Sequence, residues 1–170
     1  MKRIYLFLTL LIGLGFTACQ SDNTQTTTVY LVRHAEKVQT DSTDSNPPLA
    51  PAGVVRAQHL AERLASVEFD AVYSTPFQRN INTVKPLADA RSLTIQTYQW
   101  HDYDAIRQIL TREKGKTLLF CGHGDNILPI IRNAGATPPL KKIGKEDYQH
   151  LFKLVIRPDG TAEASVETFN

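Results

Sequence analysis

The chain has 170 residues, with 19 Lys+Arg against 17 Asp+Glu and a formal net charge of +2, and that length fits one domain of ordinary size, or one domain plus a targeting segment. Hydrophobic residues at 42% and charged residues at 21% suit a globular core and exclude global disorder. Two cysteines are too few for a disulfide framework or a Cys-based zinc site, and the near-neutral balance makes no case for nucleic-acid binding.

In chain order, the first feature is an address. Lys2 and Arg3 precede an apolar run, Ile4 to Phe16, that is interrupted by Thr9, Gly13 and Gly15 and ends at Thr17-Ala18-Cys19. A basic start, a short apolar stretch and small residues describe a secretory signal. The run is shorter than the ~20 residues of a membrane-spanning helix. A Cys directly after small residues resembles the lipobox of bacterial lipoproteins, with Phe16 where the usual pattern has Leu. That resemblance implies cleavage before Cys19 and lipid on its thiol. The protein would then be exported to a bacterial cell envelope and anchored to a membrane surface by its acyl chains. A plain secretory signal with an incidental cysteine is the alternative. Lys2 and Arg3 account for the whole charge excess, so the +2 belongs to the signal and not to a binding surface.

Gln20 to Thr28 is polar without an apolar period and reads as a tether. Residues 1–18 are thus expected to be the signal, 19–28 the lipidated Cys and tether, and 29–170 one folded domain. Val29 to Val32 reads as a buried strand, and Thr40 to Ala50 as a loop. Pro51 starts a helix whose Val54, Val55, Ala57, Leu60, Ala61 and Leu64 recur at helical spacing. Ala71 to Tyr73 is a second strand, followed by a helix from Ser74-Thr75-Pro76 to about Ala90. Leu93 to Tyr98 alternates as a strand. Asp104 to Arg112 reads as a helix with Gly115 just past its end. Thr117 to Cys121 is a strand, Asn126 to Asn133 a helix, and Leu151 to Ile156 and Ala162 to Phe169 two closing strands joined at Pro158-Asp159-Gly160.

Strands alternating with helices argue for an α/β three-layer sandwich with a mostly parallel central sheet. Ligands of such sheets bind beyond the carboxyl ends of the strands. The residues found there are Arg33-His34 after the first strand, Arg79 after the second and Gly122-His123 after the fourth. Guanidinium forks match phosphate oxygens. Histidine serves as a nucleophile or as a donor to developing negative charge. Together they suit a tetrahedral dianion.

Four blocks resemble the histidine phosphatase superfamily, the phosphoglycerate mutase-like fold. Arg33-His34-Ala35-Glu36 is similar to its Arg-His-Gly-Glu signature. Leu49 with Gly53, Arg56 and Ala57 resembles its Leu-Thr-x-x-Gly-x-x-Gln-Ala segment. Ser74 to Arg79 with Thr83 matches Ser-Ser-Pro-x-x-Arg-x-x-x-Thr, and Cys121-Gly122-His123-Gly124 matches the block of the second histidine. The resemblance implies that His34 is the nucleophile that becomes phosphohistidine. It also implies that Arg33 and Arg79 bind the phosphoryl oxygens and that His123 donates to the transferring group, with no metal or cofactor. Ala35 replaces the usual Gly and Ala50 the usual Thr or Ser. The leaving-group acid follows the third strand in mutase-like members. Here Asp102 is the nearest substitute, with Asp125 and Glu36 as further candidates.

A carbonyl near His34 is expected to fix its tautomer. Arg56 reads as a solvated helix-face residue and Cys121 as inert packing. His59, His101 and His150 have no partner pattern. Asn126 resembles the Asn after the second histidine in short members, and a helix cap is equally open. Tyr98, Trp100 and Tyr103 are open between pocket mouth and core. Loops 40–50, 98–104 and 136–147 are expected to line the pocket. Little of the chain is left for a lid, which favours hydrolysis over a mutase reaction. The expected function is a metal-independent phosphatase for a phosphorylated small molecule or phosphoprotein. A phosphate-binding module without turnover is the alternative, since fold does not guarantee activity.

Overall fold

The central strands form where β-branched and large apolar residues leave no polar face, whereas the edge strand Ala162–Thr168 (Ala-Glu-Ala-Ser-Val-Glu-Thr) alternates. Val29, Leu31 and Val32 of the first strand and Leu118 to Cys121 of the fourth are fully buried, as expected of parallel strands covered on both sides. The computed structural model describes residues 25–39 and 43–169. The expected signal, Cys19, the first part of the tether and the start of the loop expected from Thr40 lie outside the described residues.

In order, the elements are β1 (Thr27–Arg33), α1 (Pro51–Arg63), β2 (Ala71–Ser74), α2 (Gln78–Ala90), β3 (Ile95–Thr97), α3 (Tyr103–Arg112), β4 (Thr117–Gly122), α4 (Ile127–Asn133), β5 (His150–Ile156) and β6 (Ala162–Thr168). The sheet order is β3-β2-β4-β1-β5-β6. β3, β2, β4 and β1 are mutually parallel, and β5 runs antiparallel to both β1 and β6. Successive residues point to opposite faces. Leu31, Tyr73, Leu118 and Phe120 pack with Ile106 and Ile109 of α3 and Ile127 and Ile130 of α4. Val32, Val72, Leu119 and Cys121 pack with Leu60 of α1 and with Val84 and Leu87 of α2. The expected three-layer sandwich is therefore present.

Several boundaries move. Thr27 and Thr28 are not tether; they open β1, where the Thr27 hydroxyl accepts from Gly115 N at 2.9 Å. The second helix begins at Gln78 and not at Ser74, because Thr75 continues the sheet by bonding Cys121 O through its amide. β3 keeps only three residues of Leu93–Tyr98. α2 runs on through Pro86. Among the described residues no helix is long and apolar enough to cross a membrane.

A charged cluster closes the amino end of β4. Glu113 is buried, and its carboxylate accepts from Arg112 Nε (2.9 Å), Lys116 Nζ (2.8 Å) and the Tyr73 hydroxyl (3.0 Å). Burial alone would raise its carboxyl, but these donors outweigh it and hold the group at about 2.

Candidate active site

Sheet register builds the site. Arg33 of β1 pairs with Gly122 of the neighbouring parallel β4, so the next residues, His34 and His123, occupy equivalent positions. Their rings lie 5.4 Å apart, centroid to centroid. On the other flank Ser74 pairs with Cys121, which puts Thr75 beside His123, its hydroxyl 3.0 Å from Nε2. The buried face of α2 carries Arg79, Asn80 and Thr83. The Thr83 hydroxyl accepts from Ala35 N at 2.9 Å and donates to Arg79 O at 2.7 Å. Asn80 Nδ2 donates to Gly122 O at 2.7 Å. One helix turn thus ties the loops after β1 and β4 together and delivers Arg79.

The chemical state of the histidines follows from burial. His34 Nδ1 lies 2.8 Å from Ala35 O, so this nitrogen carries the proton and the lone pair sits on Nε2. The expected carbonyl is the main chain of the adjoining residue. Burial lowers the imidazole to about 4, and Arg33 and Arg79 push the same way. Burial also lowers His123, to about 3, helped by His34, Arg79 and Arg33. Both rings are neutral near neutral pH. The guanidiniums are packed against rings, Arg33 over Tyr148 (4.4 Å to the centroid) and Arg79 over Phe77 (4.5 Å). The Nε atoms of both are buried and have no protein acceptor among the described residues. Two forked cations with unmatched donors beside a neutral imidazole whose Nε2 lone pair is free have the chemistry to receive a tetrahedral oxyanion.

Residues outside the sequence blocks complete the wall. Trp100 stacks on His123 at 3.8 Å, and its Nε1 donates to Asp125 Oδ1 at 3.0 Å. Asn126 is a buried linchpin, not a side-chain cap: its Oδ1 accepts from His123 N (2.8 Å) and its Nδ2 donates to Trp100 O (3.0 Å). Arg33 Nη1 donates to Gly144 O (2.8 Å) and Lys145 O (2.7 Å), and Arg79 Nη1 to Ser45 O (3.4 Å). All three expected loops therefore reach the site. Phe77 lies within the third block, yet nothing in the block marks a ring beneath Arg79. Tyr148 and the 144–145 carbonyls have no local signal at all.

The candidate acids fare differently. Asp102 is exposed and caps α3, accepting from Ala105 N at 2.9 Å. Asp125 is exposed, held by Trp100, and 3.6 Å from His101 Nε2. Burial would raise the Glu36 carboxyl, but Arg56 grips both its oxygens and lowers it. Arg56 is correspondingly half-buried in that ion pair at 2.7 Å, which corrects its reading as a solvated residue. Tyr98 belongs to the core, its hydroxyl donating to Cys121 O at 3.1 Å. Burial pushes the Cys121 thiol far up, so it is inert packing. Among the described residues no group of three His, Cys, Asp or Glu is placed to hold a metal ion.

The comparisons with known proteins follow the same lines. The family model of the histidine phosphatase superfamily (branch 1) matches residues 29–100. The structure is similar to that of the protein histidine phosphatase SixA complexed with tungstate, at 22% identity over 84% of this chain and 94% of that one, TM-score 0.64. It is similar to Bacillus stearothermophilus YhfR at 19% identity over 83% and 96%, TM-score 0.65. It is also similar to phosphoglycerate mutase from Bacillus anthracis at 15% identity over 86% and 93%, TM-score 0.62. No curated protein matches by sequence. At these identities the structural matches establish the phosphoglycerate mutase-like fold.

Proposed function

We propose that this chain, whose residues 29–100 match the family model of the histidine phosphatase superfamily, is a metal-independent phosphatase acting through a phosphohistidine on His34. The observation that carries the proposal is a His34 proton committed to Ala35 O beside two buried guanidinium Nε groups without acceptors among the described residues. The tungstate bound to SixA, a tetrahedral oxyanion, is the kind of ligand such a receptor suits.

In the first step His34 Nε2 attacks phosphorus. The N–P bond forms as the P–O bond to the leaving group breaks, and that oxygen keeps the electron pair and takes a proton. Water then attacks phosphorus, the N–P bond breaks with its pair returning to Nε2, and inorganic phosphate leaves. Arg33 and Arg79 hold the non-bridging oxygens and neutralise their charge, and His123 adds a neutral donor. Positioning and charge stabilisation are what phosphoryl transfer requires.

Of the three carboxylates considered as proton donor, Asp125 is the one tied through Trp100 to a site side chain. Leaving groups of low pKa need little protonation, so aryl phosphates and phosphorylated imidazoles are the favoured substrates, on a small molecule or a phosphoprotein. Lipid anchoring through Cys19 and export to the cell envelope complete the proposal, resting on the sequence pattern alone. Cys19→Ser should then release the protein from the membrane fraction, and retention there would contradict the anchor.

The test is hydrolysis of a chromogenic aryl phosphate by wild type, His34→Ala and Arg79→Ala, with and without chelator and vanadate. Chelator-resistant, vanadate-sensitive turnover that both variants lose is expected. Vanadate binding without turnover of aryl phosphate, acyl phosphate or phosphohistidine would replace the proposal with a phosphate-binding module.

A further inference from the structure

The segment before β5 carries no block of the family pattern, yet it sets one of the two site arginines. β5 pairs antiparallel with β1, Leu151 opposite Val32, so the residues entering β5 sit at the carboxyl end of β1, beside Arg33. There the Arg33 guanidinium is fixed in two ways. Its plane lies over the Tyr148 ring at 4.4 Å. Its rotation is set by Nη1, which gives hydrogen bonds to Gly144 O at 2.8 Å and Lys145 O at 2.7 Å. An Nη1 group has two hydrogens, and two carbonyls take them. The Nε side of the fork remains, buried and without a protein acceptor among the described residues. A guanidinium held this way offers its bidentate edge to an oxyanion at little further cost in side-chain entropy.

The carbonyls are themselves held. Asp147 Oδ2 accepts from Gly144 N at 2.7 Å, and Asp147 N donates to Gly144 O at 3.3 Å, closing the turn from its far side. A Cβ at Gly144 would come within 2.8 Å of that carboxylate oxygen, so a side chain there would push the Asp147 carboxylate out of its hydrogen bond. The same segment leans on the β4–α4 turn: Ile143 and the Arg33 side chain both lie beside the open face of Gly124.

We propose that Asp147 is a positioning residue for oxyanion binding, acting through the Gly144–Lys145 carbonyls to hold Arg33 with its Nε edge toward the phosphoryl group. The proposal rests on the oxyanion-binding part of the function proposed above and is independent of whether the bound group is turned over.

The experiment measures vanadate affinity by calorimetry, and KM and kcat for an aryl phosphate, on the full chain. The proteins are wild type, Asp147→Ala, Asp147→Asn, Arg33→Ala and Arg33→Ala/Asp147→Ala. Asp147→Ala is expected to weaken vanadate about tenfold and raise KM similarly, the size of coupling seen within one hydrogen-bond network, with kcat changed less. Asp147→Asn keeps an acceptor oxygen and should recover most of the loss. In the Arg33→Ala background the Asp147 substitution should cost nothing more. Additive losses in the double variant, or no recovery by Asn, would overturn the proposal, as would wild type failing to bind vanadate. Vanadate binding with the expected coupling but no turnover would sustain the proposal and count against the phosphatase.

Discussion

Two charged clusters sit at opposite ends of β4 and follow opposite rules. At the amino end, Glu113 has three donors, from Arg112, Lys116 and Tyr73, and its charge is matched within the protein. At the carboxyl end, Arg33 and Arg79 keep buried Nε groups without acceptors among the described residues, beside two imidazoles that burial keeps neutral. The first cluster lowers the free energy of the fold by itself. The second leaves polar groups unmatched, which is costly in a folded chain and turns favourable when an oxyanion fills the gap. A satisfied buried charge marks a structural clamp; cationic donors without an acceptor among the described residues, beside neutral imidazoles, mark a candidate site.

Substitutions should separate the two clusters cleanly. The largest effect is expected from His34→Ala, which should lower kcat/KM by more than about 10³-fold, with melting by circular dichroism confirming that the fold persists. Arg79→Ala should cost about 10²- to 10³-fold, as removal of one oxyanion donor does elsewhere. Glu113→Ala should do the reverse, destabilising the protein by about 2 kcal/mol in urea unfolding while leaving kcat/KM near wild type. Loss of activity in that variant under conditions where it is folded would break the comparison.

Acid should distinguish the clusters as well. His34 titrates at about 4 folded against 6.5 unfolded, and His123 at about 3. As pH falls below 6.5 the unfolded chain takes up these protons first, so stability declines from 6.5 down to the folded values and levels off below them. Glu113 titrates at about 2 folded against 4.5 unfolded. Its contribution is full above 4.5 and is lost as pH falls toward 2. A chemical-denaturation series against pH should lose the upper slope in His34→Ala/His123→Ala and the lower one in Glu113→Gln. An unchanged upper slope in the histidine variant would show that these rings are not the neutral groups described. The smallest effect is expected from Trp100→Phe, which keeps a ring over His123 and removes the bond to Asp125, lowering kcat/KM by less than about fivefold.

The half of the site that sequence made legible is the half built from strand ends. Arg33, His34 and His123 follow short apolar runs, and parallel register places the two histidines side by side once β1 and β4 are neighbours. Arg79 and Thr83 are readable together because one helical turn separates them on the face that meets Ala35. The supporting half was not readable, because its partners are far apart in the chain. Arg33 and Gly144 are 111 positions apart, and the contact depends on carbonyls, which every residue has. Asp102 illustrates a related ambiguity. A carboxylate just before a helix suits both a cap and an acid, and the structure gives it the cap, with Ala105 N as donor. Arg56 looked solvated on helical spacing alone; its partner Glu36 comes from the loop after β1.

The central claim is that His34 carries the phosphoryl group between the two steps. Mixing the protein rapidly with an activated aryl phosphate, quenching in alkali, where phosphohistidine survives, and mapping the modified peptide by mass spectrometry tests it directly. The account predicts one phosphoryl group on His34 in the wild type, accumulating in a burst and missing from His34→Ala. Phosphoryl transfer to another residue, or undiminished turnover in His34→Ala, would contradict it.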